Sequence, residues 1–208
     1  MSFAADLIAF TLAASLLTMT PGLDTALVLR TLAAHGPAQA FKTACGIGLG
    51  CLAWGVIAAA GLGAVLAASH LAYEVLHWVG AGYLLYLGIK LILTPRRHGI
   101  EASTETSPSG SRAWMRGFLT NILNPKVGIF YVSFLPQFIP PHADVPVMVV
   151  SLACIHVLLG LAWFALLINA ARKLLPLLQR PRVVAAMDRL TGFVFLAFGL
   201  KLALSERP

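Results

Sequence analysis

Six long apolar stretches run along the chain, at about 5–29, 43–69, 71–94, 114–139, 145–171 and 184–204. Each is near or above the roughly 20 residues that a helix needs to cross a bilayer core. None alternates apolar with polar positions, as the strands of a membrane β-barrel do. The pattern therefore predicts an all-α integral membrane protein with six transmembrane helices. The sixth stretch is the weakest, with Asp188 and Arg189 early and Lys201 late. A competing count has five spans and a C-terminal helix lying on the membrane surface. The N-terminus, M-S-F-A-A-D-L-I, lacks the basic region of a signal peptide, and its apolar run continues to Leu29. It is expected to stay as a span.

Composition agrees with the pattern. The chain is 59% hydrophobic and only 11% charged, where a soluble domain carries about a quarter charged residues. The net charge of +7 sits in connections between spans, which points to anionic inner-leaflet lipid rather than to nucleic acid. Three connections are basic. Arg30 and Lys42 mark the first, Arg96, Arg97, Arg112 and Arg116 the third, and Arg172, Lys173, Arg180, Arg182 and Arg189 the fifth. The connections at 69–71 and 140–144 contain no Lys or Arg. By the positive-inside rule the basic loops are cytoplasmic and both termini are outside.

The only long polar segment, T-P-R-R-H-G-I-E-A-S-T-E-T-S-P-S-G-S-R, reads as a flexible cytoplasmic linker. It divides the chain into a three-helix repeat at 1–94, a linker at 95–113 and a second repeat at 114–208. Three is odd, so the halves must have opposite orientation, an inverted-repeat design found in transporters. The first span of each half is interrupted: T-M-T-P-G-L-D-T at 18–25 and T-N-I-L-N-P-K-V-G at 120–128. Proline removes a backbone donor and disturbs the preceding turn, so helices one and four are expected to break at Pro21 and Pro125. In lipid the freed backbone groups need protein or water partners, so the breaks should face the interior or a cavity.

Asp24 and Lys126 lie beside these breaks and have opposite charge. An intramembrane charge costs several kcal/mol and is paired or functional. One reading is a structural salt bridge joining the halves. The other is a shared polar site for a small zwitterion, with Asp24 near an ammonium group and Lys126 or backbone amides near a carboxylate. Thr18, Thr20, Gly22, Asn121, Asn124 and Gln137 supply polar or open neighbours. Coupling to protons needs a group that changes protonation. Asp24 is the candidate, because burial and a neighbouring cation act on a carboxyl in opposite senses.

These motifs resemble the LysE/RhtB family of bacterial amino-acid exporters. The resemblance runs nearly end to end, through T-P-G-L-D at 20–24, G-I-G-L-G at 46–50, W-V-G-A-G-Y-L-L-Y-L-G-I-K at 78–90 and G-F-L-T-N-I-L-N-P-K-V-G-I-F-Y-V-S-F-L-P-Q-F at 117–138. It implies a multi-pass exporter in the bacterial cytoplasmic membrane, driven by the proton gradient. It also implies that Pro21, Gly22, Asp24, Asn124, Pro125 and Lys126 lie at a shared core. Leu23 departs from the family, which often has a second proline there.

Other features weigh less. Cys45, Cys51 and Cys154 form no C-x-x-C and read as apolar packing residues. His156, beside Cys154, reads as a hydrogen-bonded packing residue, and no metal is assigned. Trp78, Tyr83 and Tyr86 suit interfacial anchoring. Gly46, Gly48, Gly50, Gly61 and Gly63 suit close helix approach, and such faces would admit a homodimer. Apart from Asp24, the acids Asp6, Glu74, Glu101, Glu105, Asp144, Asp188 and Glu206 are placed at loops or span ends. No cofactor motif and no phosphate-binding loop is present. The alternatives are export of a metal ion or organic cation, and a membrane-embedded enzyme, for which no nucleophile–base set is visible.

Overall fold

Inside lipid, backbone N–H and C=O groups have no water to bond, so apolar segments close their hydrogen bonds within helices. The computed structural model describes residues 3–68, 70–95, 112–139, 143–178 and 180–204. All regular structure among them is helical. The order is α1 (Phe3–Met19), α2 (Leu23–Ala68), α3 (His70–Leu93), α4 (Ala113–Ile122), α5 (Pro125–Ile129), α6 (Val145–Asn169), α7 (Ala171–Leu178) and α8 (Pro181–Leu204). From α5 the chain continues through a wider π turn at Phe130–Phe134 and a tighter 3-10 turn at Leu135–Phe138. The expected linker falls mostly outside the described residues.

The first connection is not the loop that the sequence pattern implied. Helix runs from Leu23 well past Leu29 and resumes at once after Gly36, the one non-helical residue within α2, at φ 80° and ψ 179°. A positive φ of this kind favours glycine. Pro37 then restarts the helix with its φ already set. The chain reverses here. Thr43 Oγ1 donates to Thr31 Oγ1 at 3.4 Å, whereas a straight helix would separate the two by about 18 Å. Val28 and Leu29 pack in one cluster with Ala40 and Ala44. The span boundaries at α3, α6 and α8 agree with the pattern to within a few residues.

Helix α2 packs along α4 on one side and α6 on the other, α3 packs along α8, and α1 lies against α6. The sixth stretch, α8, is 24 residues long and apolar enough to cross a membrane. So is α6. Phenylalanines fill the space between α1, the π turn and α8: Phe10 meets Phe138 at 5.3 Å and Phe134 meets Phe198 at 4.5 Å between ring centres. Asp188 lies early in α8, where the sequence pattern puts it, and is wholly buried.

Glycines set the closest helix contacts. A Cβ on Gly46 would collide with the Trp114 carbonyl, and one on Gly117 with the Thr43 carbonyl. On Gly50 it would lie 2.6 Å from Asn121 Oδ1. The backbones of α2 and α4 are thus in direct contact, as small residues permit between membrane helices. Gly61, by contrast, has nothing within 4 Å of a would-be Cβ. Gly46→Ala is therefore expected to destabilise the protein by about 1–3 kcal/mol. Gly61→Ala should not lower the unfolding midpoint in detergent, since helical alanine is favoured over glycine by about 1 kcal/mol. Equal midpoints for the two variants would contradict this packing.

Candidate functional site

Both interruptions are orderly helix junctions. At the first, the Thr20 amide still donates to Leu16 O at 3.0 Å and ends α1, while Gly22 O accepts from the Ala26 amide at 2.9 Å and opens α2. Pro21 and Gly22 lie between. At the second, Asn124 is extended, at φ −82° and ψ 107°, and its side chain accepts from the Lys126 amide at 3.1 Å. Asn124 O accepts from the amides of Val127 and Gly128, both at 3.1 Å. Pro125 occupies the first helical position, where no donor is lost. N-P-K is thus a capped helix start set inside an apolar run.

The two junctions meet at one cavity of about 70 Å³. Its wall contains Thr18, Thr20, Gly22, Asp24, Asn121, Asn124 and Lys126, so seven of the polar or open residues singled out from sequence come together. Pro21 and Pro125 are the residues at which the two junctions turn. Gln137 does not join them. Its Nε2 donates to Ser133 O at 3.1 Å, because the π and 3-10 turns carry it away from the cavity.

Asp24 stands in the first turn of α2, where the positive end of the helix dipole favours a carboxylate. Its Oδ2 accepts from Asn121 Nδ2 at 2.8 Å. Its Oδ1 is buried without a hydrogen-bond partner, as is Thr18 Oγ1. Lys126 and Asn124 stand close to the same carboxylate. Asn121 is itself wholly buried and pressed against Gly50. Thr20 Oγ1 donates to Leu16 O at 2.6 Å and lies 2.6 Å from Thr191 Oγ1 of α8, which ties the first junction to the last helix.

Several wall residues carried no sign of it in the sequence. His156, read there as packing, faces the cavity from α6, and its Nδ1 lies 3.1 Å from the Tyr131 hydroxyl. Cys51 is a buried wall residue beside Tyr131 and Asn121. Thr25, Gly48 and Gly160 also line the space. Trp78 and Tyr86 are exposed on the outer surface, consistent with anchoring. Among the described residues no three His, Cys, Asp or Glu side chains converge as a metal site.

Residues 15–206 match the family model described as LysE type translocator. The membrane protein YrhP of Bacillus subtilis is 30% identical, over 96% of this chain and 99% of its own length. The homoserine/homoserine lactone efflux protein of Salmonella typhimurium is 27% identical, over 94% of each chain. The leucine efflux protein of Salmonella choleraesuis is 27% identical, over 90% of this chain and 89% of its own. No solved structure matches.

Removing the Asn121 donor strips a charged group of its hydrogen bond, which costs about 1.5–3 kcal/mol. Asn121→Ala is expected to lower stability in detergent by that amount. The same change should cost measurably less when Asp24 is already Asn. Additive effects in the four-protein cycle would show that the pair is not coupled.

Proposed function

We propose that this chain, which belongs to the LysE type translocator family, exports amino acids or closely related small zwitterions from the cytoplasm by proton antiport. The arrangement around Asp24 carries the reading. One acid and one lysine share a cavity between two helix junctions, and the acid keeps one oxygen without a hydrogen-bond partner. A zwitterion has its two charges a few atoms apart. Asp24 takes the ammonium group, Lys126 the carboxylate, and Thr18, Thr20, Asn121 and Asn124 the remaining hydrogen bonds. A water-sized group needs about 10–15 Å³ of such space, so the cavity of about 70 Å³ has room for several such groups. The efflux names of two relatives support the reading at the level of the family.

Antiport follows from one carboxylate having two uses. Asp24 holds either a proton or the substrate ammonium, never both. Substrate arriving from the cytoplasm displaces the proton, and a proton arriving from outside displaces the substrate.

The same reading includes six spans in two inverted halves, with both termini outside. Gly192 follows Gly88 by the same number of residues as Pro125 follows Pro21. A Cβ on Gly88 would lie 2.8 Å from the Gly192 carbonyl, and one on Gly192 2.8 Å from the Gly88 carbonyl. Reciprocal contact at equivalent positions is what a two-fold relation between the halves produces.

In proteoliposomes with an imposed pH gradient, the intact protein is expected to accumulate amino acid against its own gradient. Asp24→Asn should abolish that accumulation at equal protein content. Gradient-driven transport persisting in the variant, with unchanged pH dependence, would sink the coupling role. Reporter fusions at either end should report the outside face. A cytoplasmic signal from the N-terminal fusion would overturn the topology.

A further inference from the structure

The cavity has two unlike sides. Its charged and amide groups all come from the two junctions and α4. Another part of the wall is the face of α6 that carries Val157, Gly160, Leu161 and Phe164, with Ile47 and Gly48 of α2. These positions are apolar. Among the described residues lining the cavity the only acid is Asp24 and the only lysine is Lys126, both on the junction side. His156 lies on α6 at the boundary, with Nδ1 against the Tyr131 hydroxyl.

Gly160 differs from the glycines that hold the helices together. Gly46, Gly50 and Gly117 each press on a neighbouring helix, and even Gly48 has Val157 within 3.2 Å of a would-be Cβ. Nothing lies within 4 Å of one on Gly160. Gly61 and Gly82 are also open, but they are exposed outside the cavity. Glycine inside a helix costs about 1 kcal/mol relative to alanine. At Gly160 no helix contact offsets that cost. What its missing side chain leaves is room in the cavity wall.

We propose that this α6 face receives the side chain of the transported amino acid, that Gly160 sets its depth, and that the substrates are neutral aliphatic amino acids. The proposal rests on the amino-acid export reading above. With the zwitterion held by Asp24 and Lys126, its side chain points to the apolar wall. A second ammonium or carboxylate there would be buried without a partner, a heavy penalty. An aliphatic group would gain by leaving water. Filling the Gly160 space shortens the subsite, so large side chains are lost before small ones.

The test uses the full-length protein in proteoliposomes, with labelled alanine, leucine, lysine and glutamate offered separately. The unsubstituted protein should move leucine about tenfold or more faster than lysine or glutamate. Gly160→Leu should cut leucine flux about tenfold or more while alanine flux stays within about twofold. Gly160→Ala should fall between, and Gly61→Leu should change neither. Comparable lysine and leucine fluxes would overturn the proposal. So would equal loss of alanine and leucine in properly inserted Gly160→Leu. Should that variant fail to insert, Gly160→Ala carries the size test, because its added methyl meets no protein atom within 4 Å. An unchanged leucine-to-alanine ratio there counts against the proposal. If the unsubstituted protein moves no amino acid at all, the export reading itself fails. Transport without the predicted selectivity sinks only the side-chain subsite.

Discussion

The backbone contact between α2 and α4 governs the geometry of this molecule. Gly46 and Gly50 of α2 and Gly117 of α4 bring the two helices within carbonyl contact. That approach presses Asn121 against Gly50, and from there its amide reaches Asp24 at 2.8 Å. In lipid there is little hydrophobic force between helices, so close packing and buried hydrogen bonds must supply association. Here one seam does both. It joins a helix of the first half of the chain to one of the second and aims the Asn121 amide at the cavity acid.

The interruptions then have a consistent physical meaning. Each halts one helix and opens the next through local hydrogen bonds made by Thr20, Gly22 and Asn124. What the junctions add is a pair of side chains of opposite charge, Asp24 and Lys126, at one cavity. A group with both charges compensates both residues at once, and a proton compensates the acid alone. The Thr20–Thr191 contact ties the first junction to α8, and α8 in turn packs along α3.

The sequence made some of this legible and hid the rest for identifiable reasons. Pro21 and Pro125 announce themselves through lost donors, and Asp24 and Lys126 through charge within apolar runs. Those signals are local, and the structure gathers them at one cavity. His156, Cys51, Gly48 and Gly160 depend on which face α6 and α2 turn inward, which no local pattern specifies in helices apolar all round. Gln137 was misplaced because the α, π and 3-10 turns before it rotate the chain in a way that a single helical register does not anticipate. Asp188 looked peripheral because it lies near the start of its span, yet packing buries it completely. The turn at Gly36 was missed although the Gly–Pro pair at 36–37 signals one. The polar Arg30 to Lys42 stretch looked like an ordinary loop.

The most direct measurement is the position of a transported amino acid bound to the full-length protein, by crystallography or electron microscopy. The account predicts one molecule between α2, α4 and α6. Its ammonium should be on Asp24, its carboxylate toward Lys126 and its side chain against Gly160. A transported amino acid found away from this cavity, with Asp24 still bonded to Asn121, would contradict it.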